Sequence, residues 1–271
     1  MATVTCGDAE LYYEDVGVGP AILTNHGVNE NTLYWSLPGI TDRLVQAGYR
    51  VVSMDMRAHG RTVCRGPDKG YDVDTMAEDI NAVADHLGLD KFHLLTHATG
   101  GMVGVHYAIK YHDRLLSLMS TDTGSATAPL PESAEVTDPG QTFERIDPRT
   151  HPLLGAMIEG QKARDPSQRV VLPRVEMADH VFLNRIHASK YPEAVYTQLE
   201  CLLTLSDPAE LVEFMSSFYD DPDPKIKGLR QIGCPCLVLL GEHDVLFVKP
   251  SELMAREIPD ARHVVMEGLG H

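Results

Sequence analysis

The chain has 271 residues, 43% of them hydrophobic and 23% charged, which fits a globular fold long enough to bury a large core without disulfides or metals. A formal net charge of −16 leaves no basic stripe to neutralise phosphates, which counts against nucleic acid and anionic membrane surfaces as partners. Five cysteines (Cys6, Cys64, Cys201, Cys234, Cys236), odd in number and without C-x-x-C spacing, read as reduced thiols rather than a disulfide framework or zinc site. No basic-then-apolar leader and no run of membrane-spanning length is visible, so the expected compartment is the cytoplasm.

In chain order, apolar and β-branched runs predict strands at Leu11–Glu14, Ala21–Thr24, Arg50–Met54, Lys91–Thr96, Leu116–Thr121, Cys236–Leu240 and His263–Met266. Several are continuously apolar, as strands covered on both faces are. The clearest helix runs from about Thr75 to Leu87, with Met76, Ile80, Val83 and Leu87 on one stripe. Thr75 and Glu78 read as its capping box and Gly88 as its stop. Strand–helix alternation of this kind predicts a doubly wound, mostly parallel α/β sheet of about eight strands. Its ligand site belongs at the carboxyl ends of the strands.

From about Ala126 to Pro224 the strand signals stop, and eleven of the 17 prolines punctuate short helical stretches there: Arg174–Arg185, Glu193–Thr204 and Ala209–Phe218. The domain reading is therefore a core of residues 1–125 and 225–271, with 126–224 as a helical cap inserted after the sixth strand. Leu153, Leu154, Met157, Met177, Val181, Phe182, Leu202 and Leu203 form the apolar content of that cap, most of it as cap core.

Four segments at predicted strand ends carry the chemistry. The first is Asn25-His26-Gly27-Val28-Asn29, a His-Gly turn able to aim a backbone N–H into a cleft. The second is Thr96-His97-Ala98-Thr99-Gly100-Gly101, an apolar strand entering a small-residue turn and then a helix, the setting of a nucleophile elbow. Ala98 stands where the nucleophile is expected, and it has no hydroxyl. Thr96 replaces the first glycine of the G-x-S-x-G signature and puts bulk near the turn. One step past the apex, the Thr99 hydroxyl is expected to cap the helix. The third segment is Gly241-Glu242-His243-Asp244, where Asp244 can orient a histidine while Glu242 and His243 face solvent. The fourth is Gly268-Leu269-Gly270-His271. The order nucleophile position, acid, histidine is that of the α/β-hydrolases.

The chain resembles that family over nearly all of its core. Met54-Asp55-Met56-Arg57-Ala58-His59-Gly60-Arg61-Thr62 is similar to the family's D-x-R-G-x-G-x-S turn. Among its members the nearest flavour is that of 3-oxoadipate enol-lactonases and related esterases and C–C hydrolases. The resemblance implies Ala98 at the nucleophile position, Asp244 as acid with Asp122 as the alternative site for it, His271 as base, and the N–H groups of Val28 and Thr99 as oxyanion hole. It also implies a helix following His271, and no cofactor or metal. Gly27, Asn29 and Trp35 are expected to border the substrate, although Trp35 can equally anchor its helix.

The function expected from these readings is hydrolysis of a small to medium, largely hydrophobic ester or lactone, in a variant silenced by a Ser-to-Ala replacement. Two alternatives stand beside it. One is a cofactor-independent His/Asp-dyad enzyme, a dioxygenase or lyase, with alanine as its natural residue, or else a C–C bond hydrolase. The other is a ligand-binding member without catalysis. The expected partner is a small molecule, with a homodimer left open.

Overall fold

The computed structural model describes residues 2–130, 136, 138–174 and 191–271. Nine strands form one sheet: β1 (Ala2–Cys6), β2 (Ala9–Val16), β3 (Ala21–Asn25), β4 (Arg50–Met54), β5 (Val63–Cys64), β6 (Phe92–His97), β7 (Leu115–Thr121), β8 (Cys236–Gly241) and β9 (Ala261–Met266). Their order is β1-β2-β4-β3-β6-β7-β8-β9, with β5 paired to β2. The run from β4 to β9 is parallel, and β1, β2 and β5 are antiparallel.

The predicted strands are all present, and two short ones join them. β1 is half exposed and alternates weakly, and β5 has only two residues, so neither carries an apolar run to read. Between strands lie α1 (Leu33–Ser36), α2 (Ile40–Gln46), α3 (Val73–His86), α4 (Ala98–Tyr111), α5 (Pro152–Lys162), α6 (Pro192–Thr204), α7 (Pro208–Phe218), α8 (Ile226–Leu229) and α9 (Val248–Glu257). The cap of α3 corrects the sequence reading. Asp72, not Thr75, is the N-cap: its carboxylate accepts from Thr75 N at 2.8 Å. Glu78 instead serves Lys110 and Tyr111 on α4. The C-terminal stop is as expected, with Gly88 at φ +66.

The described residues between β7 and β8 contain helices and no strand. Helix α5 was not among the predicted ones, because Gly155 and Gly160 interrupt its apolar stripe. The predicted helix Arg174–Arg185, with Met177, Val181 and Phe182, lies outside the described residues apart from Arg174. This helical segment is tied to the loops that follow β3 and β4. Gln161 Nε2 donates to Asn29 Oδ1 at 2.9 Å, Asn31 Nδ2 to Leu202 O at 3.1 Å, and Gly60 N to Ser206 Oγ at 3.1 Å. Phe214 of α7 packs edge-on against His59, ring centroids 5.0 Å apart. The helices therefore stand over the carboxyl ends of the sheet. All five cysteines are free, and none of the described helices is long and apolar enough to cross a membrane.

Beneath those loops the packing leaves two neutral histidines. Met56 N–H donates to His26 Nε2 at 3.0 Å, so the proton sits on Nδ1, which donates to Gly27 O. His59 lies beside it, ring centroids 5.3 Å apart. Burial pushes His26 down to about 4 and His59 down to about 3, the latter helped by His26 itself. Both folded values lie below the unfolded one, so their contribution is complete above pH 6.5 and is lost as pH falls toward 4. His26 alone accounts for about 3 kcal/mol across that window. Urea unfolding at pH 7.5 and pH 4.5 is expected to show this loss, and His59→Gln is expected to make it smaller.

Candidate active site

The strand order explains why segments far apart in sequence meet. The strands β3, β6, β7, β8 and β9 are consecutive neighbours in the sheet, so the residues after each emerge in one row at its carboxyl edge. The chain reverses its direction of growth between β3 and β6, and at such a switch point a crevice opens. The His26–Asn29 loop and the Ala98 turn flank that crevice.

At the elbow, β6 runs into α4 without a spacer, and Ala98 takes φ +48. His97 is the N-cap residue and makes no side-chain cap bond, so the first N–H groups of α4 point to the strand ends without one. Glycines let the turn sit this tightly. A Cβ on Gly100 would run into the His26 carbonyl and lie 2.6 Å from Asn25 O. One on Gly101 would lie 2.5 Å from Thr123 Cγ2. Thr123 Oγ1 in turn donates to Ala98 O at 2.6 Å and fixes the turn to the segment after β7.

Thr96, the departure from the glycine signature, is matched elsewhere. A Cβ on Gly104, two turns into α4, would lie 2.6 Å from Thr96 Cγ2. The volume added at 96 is thus removed at 104. Gly104→Ala is expected to lower stability by roughly 1–3 kcal/mol through overpacking. Thr96→Gly combined with Gly104→Ala is expected to recover most of it, since alanine also suits a helix better than glycine. Chemical denaturation of the two single variants and the double variant measures this coupling.

The acid and the histidine come together as the sequence order implied. Asp244 is buried, and its Oδ2 lies 2.6 Å from His271 Nδ1. Leu246 N and Phe247 N donate to its Oδ1 at 2.8 and 3.1 Å. Burial works against ionisation of Asp244, yet His271 and these N–H groups outweigh it and hold its carboxyl below the ordinary value. An ionised acceptor there places the proton on His271 Nδ1 and turns Nε2 to the other side of the ring. The last turn seats His271: Gly268 has φ +70, its N–H donates to Glu242 Oε2 at 2.8 Å, and His243 N donates to Leu269 O at 2.8 Å. Phe247 stacks on the imidazole, centroids 5.5 Å apart. Glu242 and the His243 side chain face outward, as expected.

Other expectations are corrected or extended. The Thr99 hydroxyl does not cap α4; it pairs with Tyr219 OH at 2.7 Å, because α4 begins directly at Ala98 and leaves Thr99 inside the first turn. Trp35 is buried among Ile22 and Leu95 and anchors α1 to the sheet. Its neighbour Tyr34 is the aromatic at the site, stacked on His97 at 4.7 Å with an interplanar angle of 12°. Gly27 N–H is not directed into the cleft: it donates to Glu30 Oε2 at 2.8 Å. Asn29 takes φ +63 and binds Gln161 as described. Val28 is half-buried, and it is Gly27 that abuts the elbow, where an added Cβ would lie 3.0 Å from Ala98 Cβ.

Three residues were given no role in the sequence reading: Glu30, His97 and Tyr219. Glu30 is buried, closes the His26–Asn29 loop, and stands 3.8 Å from His97 Nε2. His97 lies between Tyr34 and His271, its centroid 4.8 Å from the latter. Tyr219 arrives from the helical segment, with no local signal to announce it. Asp122, weighed only as a substitute acid, brings an atom within 4.8 Å of both Asp244 and His271.

With this geometry in hand, the comparisons with known proteins are direct. A family model of the α/β hydrolase fold matches residues 20–271, and the chain belongs to that family. It is 38% identical over 112 residues to a non-heme haloperoxidase of Rhodococcus erythropolis, a stretch covering 41% of this chain and 39% of that protein. The chain thus aligns with about two fifths of that relative's length. It is 27% identical over 274 residues to Lipase 3 of Moraxella sp. (strain TA144), covering 99% of this chain and 77% of the lipase. An esterase from Exiguobacterium antarcticum shares the fold at TM-score 0.77 and 23% identity, over 99% of this chain and 91% of that one.

Proposed function

We propose that the crevice is the acyl-transfer site of a hydrolase for small to medium, largely hydrophobic esters or lactones, with its nucleophile position occupied by Ala98. In this reading the chain binds its substrate beneath helices α5, α6 and α7 and forms no acyl-enzyme, because a methyl group cannot attack a carbonyl. The observation that carries it is the backbone of Ala98. Its φ of +48 lies in the left-handed region, which favours glycine and costs an alanine on the order of 1 kcal/mol. Such a turn holds the side chain at position 98 out at the strand ends, beside an intact Asp244–His271 pair.

A serine at this position supplies the missing step. His271, oriented by Asp244, takes the hydroxyl proton as the oxygen adds to the carbonyl. The N–H groups of Val28 and Thr99 receive the oxyanion, each such donor contributing roughly 3 kcal/mol to the barrier reduction. Water then releases the acid, with His271 again as base. Relatives named as a lipase and an esterase, and a structural neighbour named as an enol-lactonase, support the choice of ester and lactone substrates.

A second reading is favoured by one specific observation. The 2.6 Å bond between His271 and Asp244 is complete although no hydroxyl stands beside it. The pair can therefore act as a general base on water or on an enolisable substrate.

Ala98→Ser, assayed with short and medium-chain p-nitrophenyl esters and simple lactones, is expected to raise turnover at least about 10³-fold and to show a product burst. His271→Ala in that background is expected to abolish the gain. No rise on installing serine overturns the acyl-transfer reading. Turnover by the Ala98 chain itself, lost in His271→Ala, establishes the dyad instead.

A further inference from the structure

Two carboxylates face His271. Asp122 leaves β7 in left-handed backbone, φ +49, which turns its side chain across the end of β8. Gly241 N–H donates to its Oδ1 at 2.8 Å, and its Oδ2 stands 3.9 Å from His97 Nδ1. Asp244 has both its oxygens engaged, one by His271 and the other by the N–H groups of Leu246 and Phe247. The Nδ1 atom of His271 thus belongs to Asp244, and Asp122 sits against the Asp244 carboxylate with an atom within 4.8 Å of both partners. Asp244 is closed to water and Asp122 is mostly covered: the side chains are 1% and 13% exposed.

We propose that Asp122 is a positioning residue that acts through Asp244: the two carboxyls share one proton, and its loss sets how much negative charge faces His271. The proposal rests on the reading of His271 as the base of the site. Two carboxylates this close and largely covered repel when both are ionised, so one of them holds its proton to higher pH. Asp122 is the one that does. Burial foremost, and then the neighbouring Asp244, push its carboxyl up to about 6 against the pull of His271 and of Gly241 N–H.

The other titratable groups facing this pair are His97 from the end of β6 and, beyond it, Glu30 from the loop after β3. Among the described residues, no lysine or arginine forms an ion pair with either acid. Above about pH 6 the ionised pair favours the cation that forms as His271 accepts a proton.

The test has two arms. In the first, the Ala98 chain is labelled with aspartate carrying ¹³C at the carboxyl carbon, and the resonance lost in Asp122→Asn is followed by NMR across pH. It is expected to titrate near 6, and in Asp244→Asn to move down by at least about one pH unit, a tenfold change in proton affinity. A midpoint in the ordinary carboxylate range, or one unmoved by Asp244→Asn, overturns the shared proton. This arm needs no turnover, so it decides the point even where the acyl-transfer reading fails.

The second arm uses the Ala98→Ser background. Asp122→Asn is expected to move the acid limb of kcat/KM to lower pH by at least half a unit, as the charge opposing loss of the imidazolium proton is removed. Asparagine keeps an acceptor for Gly241 N–H and tolerates the left-handed backbone, so the fold survives the change. An unmoved limb overturns the proposal. So does a rate loss as large as that of Asp244→Asn, which would make Asp122 the histidine's own partner.

Discussion

The closeness with which the first turn of α4 approaches the end of β3 is the constraint on which the rest of the site depends. At Gly100 there is no room for even one carbon, because the His26 and Asn25 carbonyls occupy the space a Cβ would take. That contact joins the loop after β3 to the elbow after β6 across the switch point. Glu30 reinforces it from the other side, its carboxylate accepting the Gly27 N–H. The loop after β4 is bound into the same layer. Asp55 accepts from Thr32 N at 2.6 Å and from Arg61 N at 2.8 Å, and Gly60 leaves room for that carboxylate. These are backbone approaches held by buried acceptors, so the geometry is set by the sheet rather than by a ligand.

Much of this was legible because parallel strands write themselves plainly. Continuous apolar runs such as Arg50–Met54 and Cys236–Leu240 located the core, and the glycine-bearing turns after them located the strand ends. The Asp244–His271 pair was legible for the same reason, since each residue follows a strand directly. What escaped reading lacks such punctuation. Strands β1 and β5 are too exposed or too short to show a period, and α5 is interrupted by glycines. The cap of α3 was misplaced because Asp72 and Thr75 are both good capping residues, and the choice between them turns on where the chain leaves the preceding loop.

Side-chain pairing across elements was the least legible part. Tyr219 reaches Thr99 over 120 residues of chain, and Gly104 compensates Thr96 across a strand–helix contact. Neither pairing has a local pattern. Trp35 and Tyr34 illustrate the point at a single turn of helix: the two rings meet edge to face at 4.9 Å, yet Trp35 is buried among Ile22 and Leu95 while Tyr34 also stacks on His97. The position of His97 could have been suspected, since the residue before an elbow apex must lie near whatever histidine serves it. Its location between two carboxylates, Glu30 and Asp122, follows only from the assembled sheet.

Electrostatics at the strand ends then follow from a simple imbalance. Three carboxylates, the buried Glu30 and Asp244 and the partly buried Asp122, converge on two imidazoles, His97 and His271. Such a cluster is tolerable only where protons are shared or the imidazoles carry charge, because isolated ionised carboxylates are costly to bury. A neutral hydroxyl at position 98 would leave that balance untouched, and so does the methyl of Ala98. The acid–histidine pair is therefore assembled without regard to which small neutral side chain stands at position 98.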